Sequence, residues 1–152
     1  MATFRGLARG VQLVLVAGPL LLLSLFFTWQ NVSVDYGRAG VAKMPLDGWD
    51  AWGGLLALLV VATVVLVTVR HLTDVELSDR VPWPTVTLGL GVAVAAVAAV
   101  KNLTDADSTI TSYAFVALAC VVAAGTYLDW VESRRGERPA LSRRGRGFSS
   151  AA

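Results

Sequence analysis

One cysteine, one histidine and two lysines are all that 152 residues supply of those types. A single thiol closes no intramolecular disulfide, which excludes the thiol-redox enzymes built on four-helix bundles. Cys120 falls inside a long apolar stretch and reads as a small packing residue. His71 follows Arg70 with no second ligand candidate beside it, so no metal site is expected. No catalytic or cofactor signature is present either, and the chain is read as a protein without enzymatic activity, cofactor or metal.

Charge is the larger deficit. Only 16% of residues are Asp, Glu, Lys or Arg, against about a quarter in soluble domains. Four windows, residues 10–34, 51–69, 81–100 and 108–128, carry no such residue at all. Hydrophobic residues make up 55% of the chain and the mean hydropathy is +0.62. About 20 apolar residues suffice for a helix to cross the hydrocarbon core. The windows therefore predict an all-α integral membrane protein, an antiparallel up-down four-helix bundle with spans near 11–29, 51–69, 84–100 and 109–128. Residues 1–10 form a short N-terminus, 11–131 the transmembrane domain, and 132–152 an Arg-rich tail expected to be disordered. Arg5 and Arg9 before an apolar run also suit a signal peptide. Yet the run continues through Phe27 into Thr28-Trp29-Gln30-Asn31 with no small-x-small cleavage pattern, so the segment is read as an uncleaved anchor.

Basic residues set the expected orientation, because Lys and Arg resist translocation. Arg5, Arg9, Arg70, Arg80 and the tail residues Arg134, Arg135, Arg138, Arg143, Arg144 and Arg146 fall on one side, and Arg38, Lys43 and Lys101 on the other. Both termini are accordingly expected in the cytoplasm of a bacterial cell, with the protein in its inner, plasma membrane. The bacterial assignment rests on residue usage: eleven Arg to two Lys and one Ile suit a GC-rich genome. In such a host the sequons at Asn31 and Asn102 are chance matches. Trp29, Trp49, Trp52, Trp83 and Trp130 lie at span ends and are expected to act as interface anchors.

Smaller features fill in the bundle. Gly18-Pro19 predicts a kink in the first span, and Asp47 an N-cap for the second. In span three, Gly91, Ala95 and Ala99 share a helical stripe, with Gly89 and Ala93 on the next. Small residues at that spacing favour close helix packing, within one chain or across a dimer. Asp50 and Lys101, at the outer ends of spans two and three, are candidates for an ion pair across neighbouring helices. The alternative for Lys101 is a side chain snorkelling to the surface. The tail arginines are candidates for contact with anionic lipid headgroups; with no folded reader module, nucleic acid is not an expected partner.

Phe27-Thr28-Trp29 and Gly48-Trp49-Asp50-Ala51-Trp52, with Tyr113-Ala-Phe-Val-Ala-Leu and Gly125-Thr-Tyr in the last span, resemble a group of small four-helix membrane proteins of actinobacteria. Where that group commonly has proline before the first tryptophan, this chain has Thr28. The group has no assigned activity, so the resemblance implies topology and genome class alone. Absence of any ionisable residue inside the windows argues against a proton-coupled carrier. The reading that remains is a multi-pass membrane protein serving as a non-catalytic accessory or interaction subunit, bound to a membrane-protein partner or to copies of itself. The alternative is a subunit of an oligomeric small-solute transporter or pore, working through groups such as Ser24, Thr63, Thr68 and Thr126.

Overall fold

Runs of Leu, Val and Ala satisfy their own backbone groups as helix, and helices dominate the computed structural model. It describes residues 6–37, 40–49, 51–73, 75, 77–78, 80–105 and 109–144, with side chains to residue 135, that of Ala51 excepted. Chain order is α1 (Arg9–Ser24), β1 (Gln30–Asp35), β2 (Val41–Leu46), α2 (Ala51–Leu72), α3 (Trp83–Thr104) and α4 (Ile110–Arg144). Each helix packs on its neighbour in chain order, and α4 closes the ring against α1. Three helical stretches, Trp52–Leu72, Trp83–Thr104 and Ile110–Arg135, are long and apolar enough to cross a membrane. The apolar helix α1 has only 16 residues, about 24 Å at 1.5 Å per residue.

Two boundaries depart from the expected spans. The first span was expected to continue to Trp29, but α1 ends at Ser24, and Leu25, Phe26 and Phe27 bond three residues back in a tightened last turn. Within α1 the helix runs on through Pro19. At the other end of the chain, α4 continues past Trp130 to Arg144, across residues expected to be disordered. Extending a formed helix costs far less than nucleating one. Ser133 also donates to the Asp129 carbonyl at 2.8 Å, and the Arg134 guanidinium lies 4.3 Å above the Trp130 ring.

Between α1 and α2, where a polar loop was expected, β1 and β2 form an antiparallel hairpin in register from Gln30–Leu46 to Asp35–Val41. The alternation Asn31-Val-Ser-Val-Asp35 suits a strand, whose side chains point to opposite faces in turn. The turn closes through Tyr36 N–H to the Gly40 carbonyl at 2.9 Å. It uses two left-handed residues, Gly37 at φ 63° and Gly40 at φ 95°, which glycine adopts without a Cβ penalty.

The core is drawn from all four helices and includes Leu21, Leu56, Val60, Val94, Ala98, Ala119 and Val122. Glycine sets the closest approaches. A Cβ on Gly10 would lie 2.5 Å from the Gly125 carbonyl oxygen, and one on Gly125 would lie 2.8 Å from that of Gly10. Both obstacles are backbone, so neither can swing aside. Along α3, Gly91 is buried against Thr126, whereas Gly89 faces open space. The buried stripe is Thr87, Gly91, Val94, Ala98, Lys101 and Asn102; Ala93, Ala95 and Ala99 flank it half-buried. Gly125→Val should therefore cost about 1–3 kcal/mol by overpacking. Gly89→Ala should stabilise by about 0.5–1 kcal/mol through helix propensity. Thermal unfolding in detergent measures both, and equal effects would refute the assignment of Gly125 to the contact.

Candidate functional site

The buried charged side chains among the described residues gather in two clusters at opposite ends of α3. At its N-terminal end, α2 finishes with Arg70 and His71, and α4 brings Asp129 alongside. Arg70 Nη1 donates to Asp129 Oδ2 at 2.7 Å and to Thr87 Oγ1 at 3.0 Å. Thr87 in turn donates to the Trp83 carbonyl at 2.9 Å. His71 Nε2 stands 3.0 Å from Asp129 Oδ1, an ion contact when the imidazole is protonated. The Arg70 and Asp129 side chains are 10% and 4% exposed. Helices α2, α3 and α4 are thus tied through the Arg70 guanidinium, a cation that matches the negative end of the α2 dipole.

The second cluster occupies the other end. Because α1 stops at Ser24, Trp29 folds back, and its indole N–H donates to the Ser24 carbonyl at 2.8 Å. That carbonyl belongs to the last helical turn and also accepts from Phe27 N–H at 3.1 Å, so it takes two donors. Trp29 is fully buried, stacked on Phe115 with ring centroids 5.6 Å apart. Lys101 Nζ lies 5.2 Å from its ring centroid and 3.1 Å from Asp105 Oδ2, one turn along the same helix. Next to it, the Ser112 hydroxyl donates to Asn102 Oδ1 at 2.6 Å, joining α4 to α3.

The hairpin is fixed to this cluster through its backbone. Trp29 N–H donates to the Leu46 carbonyl at 3.0 Å and Gly48 N–H to the Leu25 carbonyl at 2.8 Å. Thr109 N–H reaches the Trp29 carbonyl at 3.1 Å, and its hydroxyl the Thr28 carbonyl at 3.0 Å. Gly48 is required here, since a Cβ would stand 2.8 Å from the Trp29 indole nitrogen.

Several residues singled out from sequence sit differently from expectation. Trp29 is core, because the early end of α1 returns it to the bundle. Trp49 and Trp52 are 44% and 43% exposed, and Trp83 and Trp130 are half-buried. Lys101 does not snorkel: it is fully buried with Asp105. Asp50, its expected partner across helices, lies outside the described residues. So does Arg146, while Arg138, Arg143 and Arg144 fall in the part of α4 whose side chains are not described. Asp47 accepts from Trp49 N–H at 3.1 Å, four residues before α2 begins, so it organises the entry turn instead of capping the helix. Sequence reasoning passed over Asp129 and Gly10 altogether. The available signal for Asp129 was an acid set directly against the end of an apolar window.

Chemically, both clusters are internal ties between side chains. Their charges face each other, and among the described residues no three His, Cys, Asp or Glu side chains group to hold a metal. No protein-family model, curated protein or solved structure matches this chain.

Proposed function

We propose that this chain crosses the plasma membrane four times as an antiparallel bundle with both termini cytoplasmic, and that it serves as a non-catalytic accessory subunit presenting its hairpin to a membrane-protein partner or a second copy. The observation that carries this reading is the hairpin itself. All six residues of β2 are exposed, among them Val41, Met44 and Leu46, although the base of the hairpin is pinned to the buried Trp29. Phe26 and Trp49 extend the apolar surface beside it, in edge-to-face contact at 5.3 Å. An ordered apolar edge left open is a surface suited to pairing with another chain.

Support for the bilayer comes from the outward faces of the helices, where Leu58, Val61, Val65 and Val92 are exposed. Lipid accepts such faces, and water does not. Support for a non-catalytic, non-conducting role comes from how polar groups are used. Arg70, Asp129 and Lys101 are consumed in internal ties. Ser24, Thr63 and Thr126 each bond back to a carbonyl of their own helix.

The test places a photocrosslinking residue at Met44 and, separately, cysteines at Met44 and Ser149 in a Cys120→Ala background. Irradiated cells should yield a discrete heavier adduct from position 44. An impermeant thiol reagent should label Met44→Cys in intact cells and leave Ser149→Cys unlabelled. Reversed labelling overturns the orientation, and absence of any adduct overturns the presenting role.

A further inference from the structure

We infer that the chain holds one anionic phospholipid in a groove between α1 and α4. The groove has a volume of about 460 Å³ and is lined by Arg9, Gln12, Leu13, Val16 and Leu128. Arg9, Gln12, Leu13 and Val16 repeat at three- and four-residue spacing, so they share one face of α1. That face runs about 10 Å along the helix axis, from a cation to an aliphatic floor. Arg9 is exposed and forms no ion pair with any described residue. On the facing helix Asp129 is already engaged by Arg70 and His71, and the exposed Glu132 makes no ion pair with Arg9. Gln12 donates from its amide to the Leu7 carbonyl at 2.9 Å, which holds its side chain at the polar end.

This layout matches an anionic lipid in both charge and shape. A phosphodiester oxygen pair takes the two-pronged guanidinium, whose geometry suits phosphate. An acyl chain then lies on Leu13, Val16 and Leu128, all of which are exposed in the free chain. The close approach of Gly10 to Gly125 shapes the wall behind them, because it draws α1 and α4 together next to the groove. The inference needs a bilayer around the chain but not the presenting role of the hairpin, and either can fail without the other.

Native mass spectrometry of the full chain, released from detergent with matched phosphatidylglycerol or phosphatidylcholine, provides the test. The wild-type chain should retain one phosphatidylglycerol at least tenfold more often than one phosphatidylcholine. Arg9→Gln should bring that ratio to near one with the helical content by circular dichroism unchanged. Leu13→Trp, which fills the groove, should reduce retention of both lipids. Arg134→Gln, on the distal part of α4, should leave the ratio within twofold of wild type. A ratio near one in the wild type, an unchanged ratio in Arg9→Gln, or loss confined to Arg134→Gln would each overturn the assignment. Appearance of a second copy of the chain in place of the lipid adduct would overturn it as well.

Discussion

Asp129→Ala should be among the most damaging single substitutions in this chain, lowering stability by about 3–5 kcal/mol. Asp129 is 4% exposed and, among the described residues, is the one carboxylate facing both Arg70 and His71. Removing it leaves a guanidinium, itself only 10% exposed, with Thr87 as its remaining side-chain partner. A hydroxyl satisfies a donor but does not offset a charge. The penalty comes from the orphaned cation more than from the lost attraction, and this yields a second expectation. Arg70→Met combined with Asp129→Leu should lose less stability than Asp129→Ala alone, since an apolar pair strands no charge. Unfolding in a detergent series, followed by circular dichroism, reads both. A loss under about 1 kcal/mol for Asp129→Ala would mean that water reaches the cluster and screens it.

Trp29→Ala should be of similar size, about 3–5 kcal/mol for truncating a fully buried aromatic. Three separate contacts disappear together. The Ser24 carbonyl loses its indole donor, Phe115 loses its stacking partner, and Lys101 loses the ring face beneath its ammonium group. Trp29→Phe separates these contributions, because it retains stacking while removing the hydrogen bond, for an expected cost of about 1 kcal/mol plus a partly emptied pocket. The hairpin should respond to the alanine variant more than the helices do. Its amide protons near Trp29 and Gly48 should exchange faster, with the amides of α3 little changed. Uniform acceleration across helices and hairpin would show that Trp29 supports the bundle as a whole.

Charge spacing made α2 and α3 legible to within a few residues, because a gap between charged residues is a one-dimensional signal. The end of α1 was not legible for the opposite reason. Phe26, Phe27 and Trp29 are as apolar as the helix they follow, so hydropathy alone does not register that the chain turns after Ser24. The hairpin left a trace in the alternation from Asn31 to Asp35. Its other strand, with Lys43 and Pro45, alternates poorly and is exposed throughout, so little in it selects a face. Neither buried cluster was readable as a unit. Arg70 and Asp129 are 59 residues apart, and Trp29 and Lys101 meet only when α1 and α3 share a bundle. The Gly10 and Gly125 contact is of the same kind, since two glycines become informative only once their helices cross. Lys101 shows how burial reverses a sensible expectation: a lone lysine at a span end suggests snorkelling, and an aspartate one turn later supplies an internal partner.

The 59-residue separation of Arg70 and Asp129 also bears on biogenesis. A ribosome adds about 5–20 residues per second, so Asp129 is polymerised roughly 3–12 s after Arg70. During that interval α3 is still being made, and the carboxylate that meets Arg70 arrives only with the last helix. A nascent chain that stalls before α4 therefore presents Arg70 without the buried carboxylate that faces it in the finished chain. A protease that recognises unassembled polar residues would have in Asp129 a feature that separates such fragments from the finished chain.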